Sequence, residues 1–84
     1  MQIDNNTALF DAVRQIINEL NEAQQTDAAK QLKEALSFSS MPTEILGETR
    51  VAAQVILKQS NNDLINKKLE RVIQYIDNAF GNKS

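Results

Sequence analysis

Only two glycines and one proline interrupt this chain of 84 residues, so it has few places where a regular element must end. Between those places, apolar residues recur at intervals of three and four, and no segment shows the sustained alternation of a strand. A period of 3.6 residues places such side chains on one face of an α-helix, which can then be buried against other helices. The chain is therefore predicted to be all-α.

The spacing defines four amphipathic segments, over residues 7–21, 27–37, 42–59 and 63–80. Helices joined by connections of a few residues most simply pack as antiparallel neighbours. We therefore predict a compact up-down antiparallel four-helix bundle. Residues 1–84 are expected to form a single helical domain in which residues 1–5 and 82–84 fray.

The residues at the segment ends predict where the helices begin and stop. Asn6 or Thr7 is expected to cap the first helix, Thr26 the second and Asn62 the fourth, because short polar side chains accept hydrogen bonds from first-turn amides. Gly81 is expected to end the fourth helix in the left-handed conformation. The buried stripe of that helix is predicted to consist of Ile65, Leu69, Val72, Ile76 and Phe80.

The segment Ser37–Glu44 joins the second and third helices and has two interpretations. Pro42 suits the first turn of a helix, where its missing amide proton would be unbonded anyway. The favoured interpretation is a helix stop followed by a helix start, with Ser40 or Met41 at the cap position and with Phe38 and Met41 packed under the corner. The alternative is a recognition loop that holds an anion or a partner's side chain.

The chain contains no histidine and no cysteine, which removes the usual proton shuttles, reactive thiols and tight transition-metal ligands. Its serines and threonines have no histidine to activate them. We therefore expect neither an enzyme nor a cofactor or metal site.

The absence of cysteine fits a reducing compartment, so a cytoplasmic location is expected. The first six residues have no basic region and no apolar run, and no apolar stretch is long enough to span a bilayer, so neither a secretory signal nor a membrane partner is expected.

Two carboxylate pairs leave one catalytic hypothesis open. Glu19 and Glu22 are three residues apart and Glu44 and Glu48 four apart, so each pair shares a helix face. Helical Glu pairs bind Mg²⁺ in all-α nucleotide hydrolases, but the ion needs carboxylates that converge from two helices. A Mg²⁺-dependent hydrolase is therefore the weakest functional hypothesis, and a solvated acidic face is the favoured interpretation.

A basic cluster on the fourth helix raises the question of nucleic-acid binding. Lys67, Lys68 and Arg71 lie near Tyr75, and cations beside an aromatic ring can bind a single strand by charge and stacking. The formal net charge is nevertheless −2 and the isoelectric point about 5.0. Long basic stems and a tyrosine more often cover the edge of a core. We therefore expect no nucleic-acid partner.

The charges are unevenly distributed along the chain. Residues 1–48 carry eight acidic and three basic residues, whereas residues 49–84 carry three acidic and six basic ones. Attraction between the two parts of one bundle is the favoured explanation. The alternative is an acidic face that steers a basic partner.

The third helix offers the most distinctive surface. Gly47, Val51 and Val55 recur every four residues away from the main apolar stripe, and glycine allows a partner helix to approach closely. Alternatively, this helix is central and buried on two sides. The predicted partner-binding residues are Glu44, Gly47, Glu48, Val51 and Val55, and Asp11 and Glu22 are less favoured candidates.

These observations favour a small non-enzymatic protein–protein interaction module. In size, acidity and helix count the chain resembles the small bacterial immunity proteins, which implies an immunity- or antitoxin-like inhibitor of a partner protein. No motif of that family matches particular residues, so no binding residues carry over. The alternative is a homo-oligomeric scaffold in which Gly47, Val51 and Val55 meet a second copy.

Overall fold

Four α-helices make up the fold of this protein in a computed structural model, which describes residues 2–81. The helices are α1 (Asn6–Glu22), α2 (Thr26–Leu36), α3 (Pro42–Gln59) and α4 (Asp63–Ala79). Every predicted boundary lies within one residue of the observed one, and the described range contains no strand. The predicted all-α bundle is therefore confirmed. Of the ends predicted to fray, Met1 and residues 82–84 lie outside the described residues.

The helices pack in a ring in which each touches two neighbours. α1 packs against α2 and α4, and α3 packs against the same two helices, whereas within residues 2–81 the diagonal pairs have no Cα atoms within 8 Å of each other. The Cα radius of gyration is 11.7 Å, close to the value of about 12 Å expected for a folded domain of this length. None of the four helices combines the length and hydropathy that crossing a bilayer requires.

All four helices contribute to one apolar core, since the residues that recur at helical spacing face the centre of the ring. The fully buried large side chains of this core are Leu9, Val13, Ile16, Leu20, Leu32, Leu69, Val72 and Ile76. Thr49 of α3 is the buried polar residue within this otherwise apolar set. No group in the described residues forms a hydrogen bond with its hydroxyl oxygen.

The start of α1 differs from the prediction by one residue. Asn5, rather than Asn6 or Thr7, occupies the cap position, and its Oδ1 accepts a hydrogen bond from the amide of Ala8 at 2.8 Å. Its extended backbone, with φ −156°, lets the side chain fold back over the first turn. The bond satisfies one of the amides that a helix start leaves without an intrahelical partner.

The connection between α1 and α2 also differs from the prediction. Thr26 does not cap α2 but is its first residue, and the cap position belongs to Gln25, whose side chain makes no capping bond to the described residues. Gln24 adopts a left-handed backbone with φ +62°. The amide of Gln25 then reaches the carbonyl of Leu20 at 2.8 Å, and the amide of Gln24 reaches that of Asn21 at 3.0 Å. These two bonds form a Schellman motif with glutamine where glycine is usual.

The two ends of α4 include one correction. Asn62 caps the helix as predicted, because its Oδ1 accepts a bond from the amide of Ile65 at 3.1 Å. Gly81 follows the helix with φ +67°, which confirms its predicted left-handed conformation. The prediction that Phe80 belongs to the buried stripe is wrong, since it lies beyond the last helical residue and is 42% exposed.

Candidate protein-binding surface

The five predicted partner-binding residues lie on the side of α3 that faces away from the core. Their spacing in the helix places them along one outer strip. Glu44 and Val51 are exposed, and Gly47, Glu48 and Val55 are half-buried. Val51 keeps 53% of its surface in contact with solvent. α3 packs against α2 and α4, and no further helix of the described residues packs against it.

Gly47 has no packing role within the fold. A Cβ atom built at this position would meet no described atom within 4 Å outside its own stretch of helix. Glycine inside a helix destabilises it by about 0.5–1 kcal/mol relative to alanine. The bundle therefore gains nothing from the missing side chain, which leaves bare backbone at the surface on the turn preceding Val51.

A groove between α2 and α3 connects this strip with residues that the sequence did not single out. Ala35 and Ala52, both nearly buried, form its floor, and the exposed side chains of Phe38 and Val51 form its apolar walls. Gln31, Glu34 and Glu48 complete the lining. We call this feature, with a volume of about 270 Å³, the acidic groove. It contains no basic lining residue, and neither glutamate forms an ion pair with another described residue.

The exposure of Phe38 and Met41 corrects a prediction. Both were expected to pack under the corner between α2 and α3, but they are 59% and 57% exposed. α2 ends at Leu36 and α3 begins at Pro42, so neither side chain belongs to a helix whose apolar face could direct it inward. Met41 does occupy the predicted cap position, with its amide donating to Ser39 Oγ at 3.0 Å. The connection thus starts a helix and also presents two large apolar side chains to solvent.

Two larger grooves differ from the acidic groove in charge. The groove between α3 and α4, of about 820 Å³, contains Lys58 together with Glu70 and Asp77, and Asp77 accepts a hydrogen bond from Arg50. The groove between α1 and α2, of about 520 Å³, is lined by the cations of Arg14 and Lys33 without a carboxylate. The acidic groove alone among these three combines exposed apolar walls with a purely negative lining.

Part of the basic cluster of α4 bonds to α1 within the bundle. Lys68 forms a half-buried ion pair with Glu19 of α1, with the two charged atoms 2.5 Å apart. The hydroxyl of Tyr75 donates a hydrogen bond to Asn6 Oδ1 at 2.8 Å. Both residues therefore join α4 to α1. The Lys68–Glu19 pair also links the basic and acidic parts of the chain, as the favoured explanation of the charge distribution requires.

The carboxylates of the hydrolase hypothesis do not converge. Glu19 and Glu22 belong to α1 and Glu44 and Glu48 to α3, and these two helices lie diagonally across the ring from each other. Within residues 2–81, no group of three or more acidic side chains is close enough together to hold a metal ion. The four carboxylates thus form two separate acidic surfaces.

Comparison with other proteins gives no relative from which a role could be transferred. No family model matches the chain, and neither a curated protein nor a solved structure is significantly similar to it. The arrangement of its own side chains is therefore the basis for a functional proposal.

Proposed function

We propose that this protein is a small non-enzymatic interaction module that binds another protein through the outer strip of α3. The binding residues in this proposal are Glu44, Gly47, Glu48, Val51 and Val55. The observation that carries it is the exposed Val51, which lies one turn after Glu48 in this strip and shares a groove with the exposed Phe38. Single exposed apolar residues are common on protein surfaces, whereas adjacent ones rimmed by charged residues are typical of interaction sites.

The acidity of the strip suggests the form that the interaction takes. An immunity- or antitoxin-like inhibitor would use Glu44 and Glu48 to mask a basic site on its target, and the charges would accelerate encounter between the two proteins. Asp11 and Glu22 would add to the negative field without contacting the target. The proposal places this activity in the cytoplasm, in keeping with a chain that has no cysteine.

The experiment begins with the gene's neighbourhood, because an inhibitor of this kind is expected beside the gene of its larger target. The neighbouring protein would be purified and its binding to this chain measured by calorimetry. Val51→Gln should weaken binding about tenfold, because it replaces a central apolar contact with a polar group. Leu64→Gln is the matched control, since Leu64 is 72% exposed at the start of α4, away from the strip.

Equal affinity of the wild-type protein and the Val51→Gln variant would contradict the proposed surface. The thermal unfolding temperature of both variants should stay close to that of the wild type, so that a change in affinity is not a change in folding.

A homo-oligomeric scaffold is the second candidate, favoured by the bare backbone at Gly47 beside Val51. In that case the strip would meet the same strip of a second copy. Analytical ultracentrifugation over a hundredfold range of concentration separates the two candidates. A constant monomer mass would remove the scaffold, whereas a concentration-dependent dimer abolished by Val51→Gln would support it.

A further inference from the structure

The acidic groove reaches beyond the strip of α3, because one of its two sides belongs to α2 and to the connection that follows it. Gln31 and Glu34 lie in the second half of α2, and Phe38 lies two residues beyond the end of that helix. Their location between two adjacent helices means that any occupant contacts α2 and α3 together. The groove therefore restricts the shape and charge of a partner more than the strip of α3 alone does.

The size and open shape of the groove suit a single side chain. Its volume is about 270 Å³ and it is open to solvent, whereas small-molecule sites bury most of their ligand's surface. Its floor is made of Ala35 and Ala52, whose small side chains leave room where larger ones would fill the boundary between the helices. A single large apolar side chain can rest on these alanines and contact Phe38 and Val51, as the anchor residue of a protein interface does.

The charges of the groove define what must surround that anchor. Glu34 and Glu48 stand on opposite sides, one on each helix, and Glu44 lies one turn before Glu48 on α3. Because none of the described residues that line the groove is a cation, a partner without positive charge would desolvate these carboxylates with no compensation. Lysine or arginine side chains on both sides of the anchor would neutralise them.

A second copy of this chain fits the groove poorly. A two-fold interface uses the same patch on both molecules, so the acidic groove of one copy would face the acidic groove of the other and bring their glutamates together. Like charges brought together in this way destabilise a complex. The occupant is therefore a different molecule with the opposite charge.

We propose that the acidic groove binds a basic amphipathic α-helix of the partner protein. One large apolar side chain of that helix lies between Phe38 and Val51, and its flanking cations face Glu34 and Glu48. Insertion of an apolar helix face into a groove between two helices is an established mode of peptide recognition. This inference rests on the proposed function, since it specifies the chemistry of the partner that the module binds.

The test uses the full chain and a fluorescein-labelled peptide of leucine and lysine, about 18 residues long, with its leucines on one helix face. Fluorescence anisotropy should show saturable binding that weakens as salt is added, because salt screens the charges. The same peptide with glutamate in place of lysine should not bind. Amide chemical shifts should change in residues 31–38 and 44–55. Failure of the lysine peptide to bind, or equal binding of the glutamate peptide, would overturn the inference.

Matched variants show whether the peptide occupies this groove. Glu34→Lys should weaken binding about tenfold, because it removes an attraction and adds a repulsion. Glu70→Lys makes the same change at an exposed position of α4 outside the groove and should alter affinity less than about twofold. Phe38→Ala should also weaken binding about tenfold, with Leu64→Ala as its control. If Glu34→Lys and Glu70→Lys weaken binding equally, the peptide binds by net charge alone and the inference is wrong.

The same variants separate this inference from the proposed function. A target protein whose affinity falls with Val51→Gln, but is unchanged by Phe38→Ala and Glu34→Lys, would uphold the strip of α3 and overturn the helix-in-groove mode. A target that is insensitive to all three variants would overturn both.

Discussion

At the scale of single residues, Thr49 departs most from the apolar pattern of the core. It is completely buried, and no described group bonds its hydroxyl. A hydroxyl removed from water without a partner destabilises a fold by about 1–3 kcal/mol. Helical spacing accounts for its place on the inner face of α3, but spacing does not show whether a threonine hydroxyl finds a carbonyl to bond. That depends on the rotamer that its neighbours leave open.

The first prediction concerns this hydroxyl. Thr49→Val keeps the shape of the side chain and removes the unbonded oxygen, so it should raise the free energy of unfolding by about 1 kcal/mol. Urea denaturation followed by circular dichroism measures the change. Thr43→Val is the control, since Thr43 is exposed in the first turn of α3 and should change stability by less than about 0.5 kcal/mol. A loss of stability in Thr49→Val would mean that the hydroxyl is bonded in solution.

At the scale of the helices, the sequence was sufficient to predict which residues form each helix, but less so to predict which residue caps it. The period of the apolar residues determines which face of each helix is buried, and the length over which that period continues determines how far the helix extends. The choice of cap depends on the backbone of one residue, and the run Asn5-Asn6-Thr7 offers three similar side chains for that position. The turn at Gln24 carried no signal, because the left-handed conformation is associated with glycine and asparagine.

The second prediction follows from that turn. Gln24→Gly should raise the free energy of unfolding by about 0.5–1 kcal/mol, because glycine adopts the positive φ without the steric cost that a Cβ imposes. The gain is reduced by the greater freedom of glycine in the unfolded chain. Gln24→Ala retains the Cβ, so it should remain within about 0.5 kcal/mol of the wild type in the same urea assay. A glycine variant no more stable than the alanine variant would count against the left-handed turn.

The candidate surface was predicted only in part. The part that was not predicted is the groove formed where α2 packs against α3. The strip of α3 could be found because it belongs to one helix and repeats with its period. Phe38 could not, since an apolar residue beside a helix end is usually buried and only the packing of α2 against α3 shows otherwise. The role of Glu34 could not be predicted either, because its position opposite Glu48 depends on how α2 packs against α3.

At the scale of the whole molecule, the ring is closed by the contact between its first and last helices. Glu19 and Lys68 form an ion pair there, and each side chain keeps only about a quarter of its surface exposed. Such a pair is screened less by solvent than an exposed one. The Arg14–Asp11 pair on α1 offers a comparison within the same protein, because both of its side chains are mostly exposed.

The third prediction compares these two pairs by double-mutant cycles. Glu19→Gln with Lys68→Gln should give a coupling energy of about 0.5–1 kcal/mol, whereas Asp11→Asn with Arg14→Gln should give about 0.3 kcal/mol or less. Both are measured by urea denaturation at low and high salt, and the coupling of the exposed pair should fall further as salt is added. Equal coupling in the two pairs would mean that partial burial of the Glu19–Lys68 pair adds nothing to the contact between α1 and α4.

The order of the ring has a practical consequence for handling the protein. Since α1 and α4 are neighbours, the pair formed by α2 and α3 lies on the opposite side of the ring. The two ends of the described chain therefore leave the bundle beside each other on the side formed by α1 and α4, whereas the acidic groove lies between α2 and α3. A purification tag or a surface tether joined at either end starts on the side of the ring opposite the groove. Molecules immobilised in this way would all present the side formed by α2 and α3 to a partner in solution.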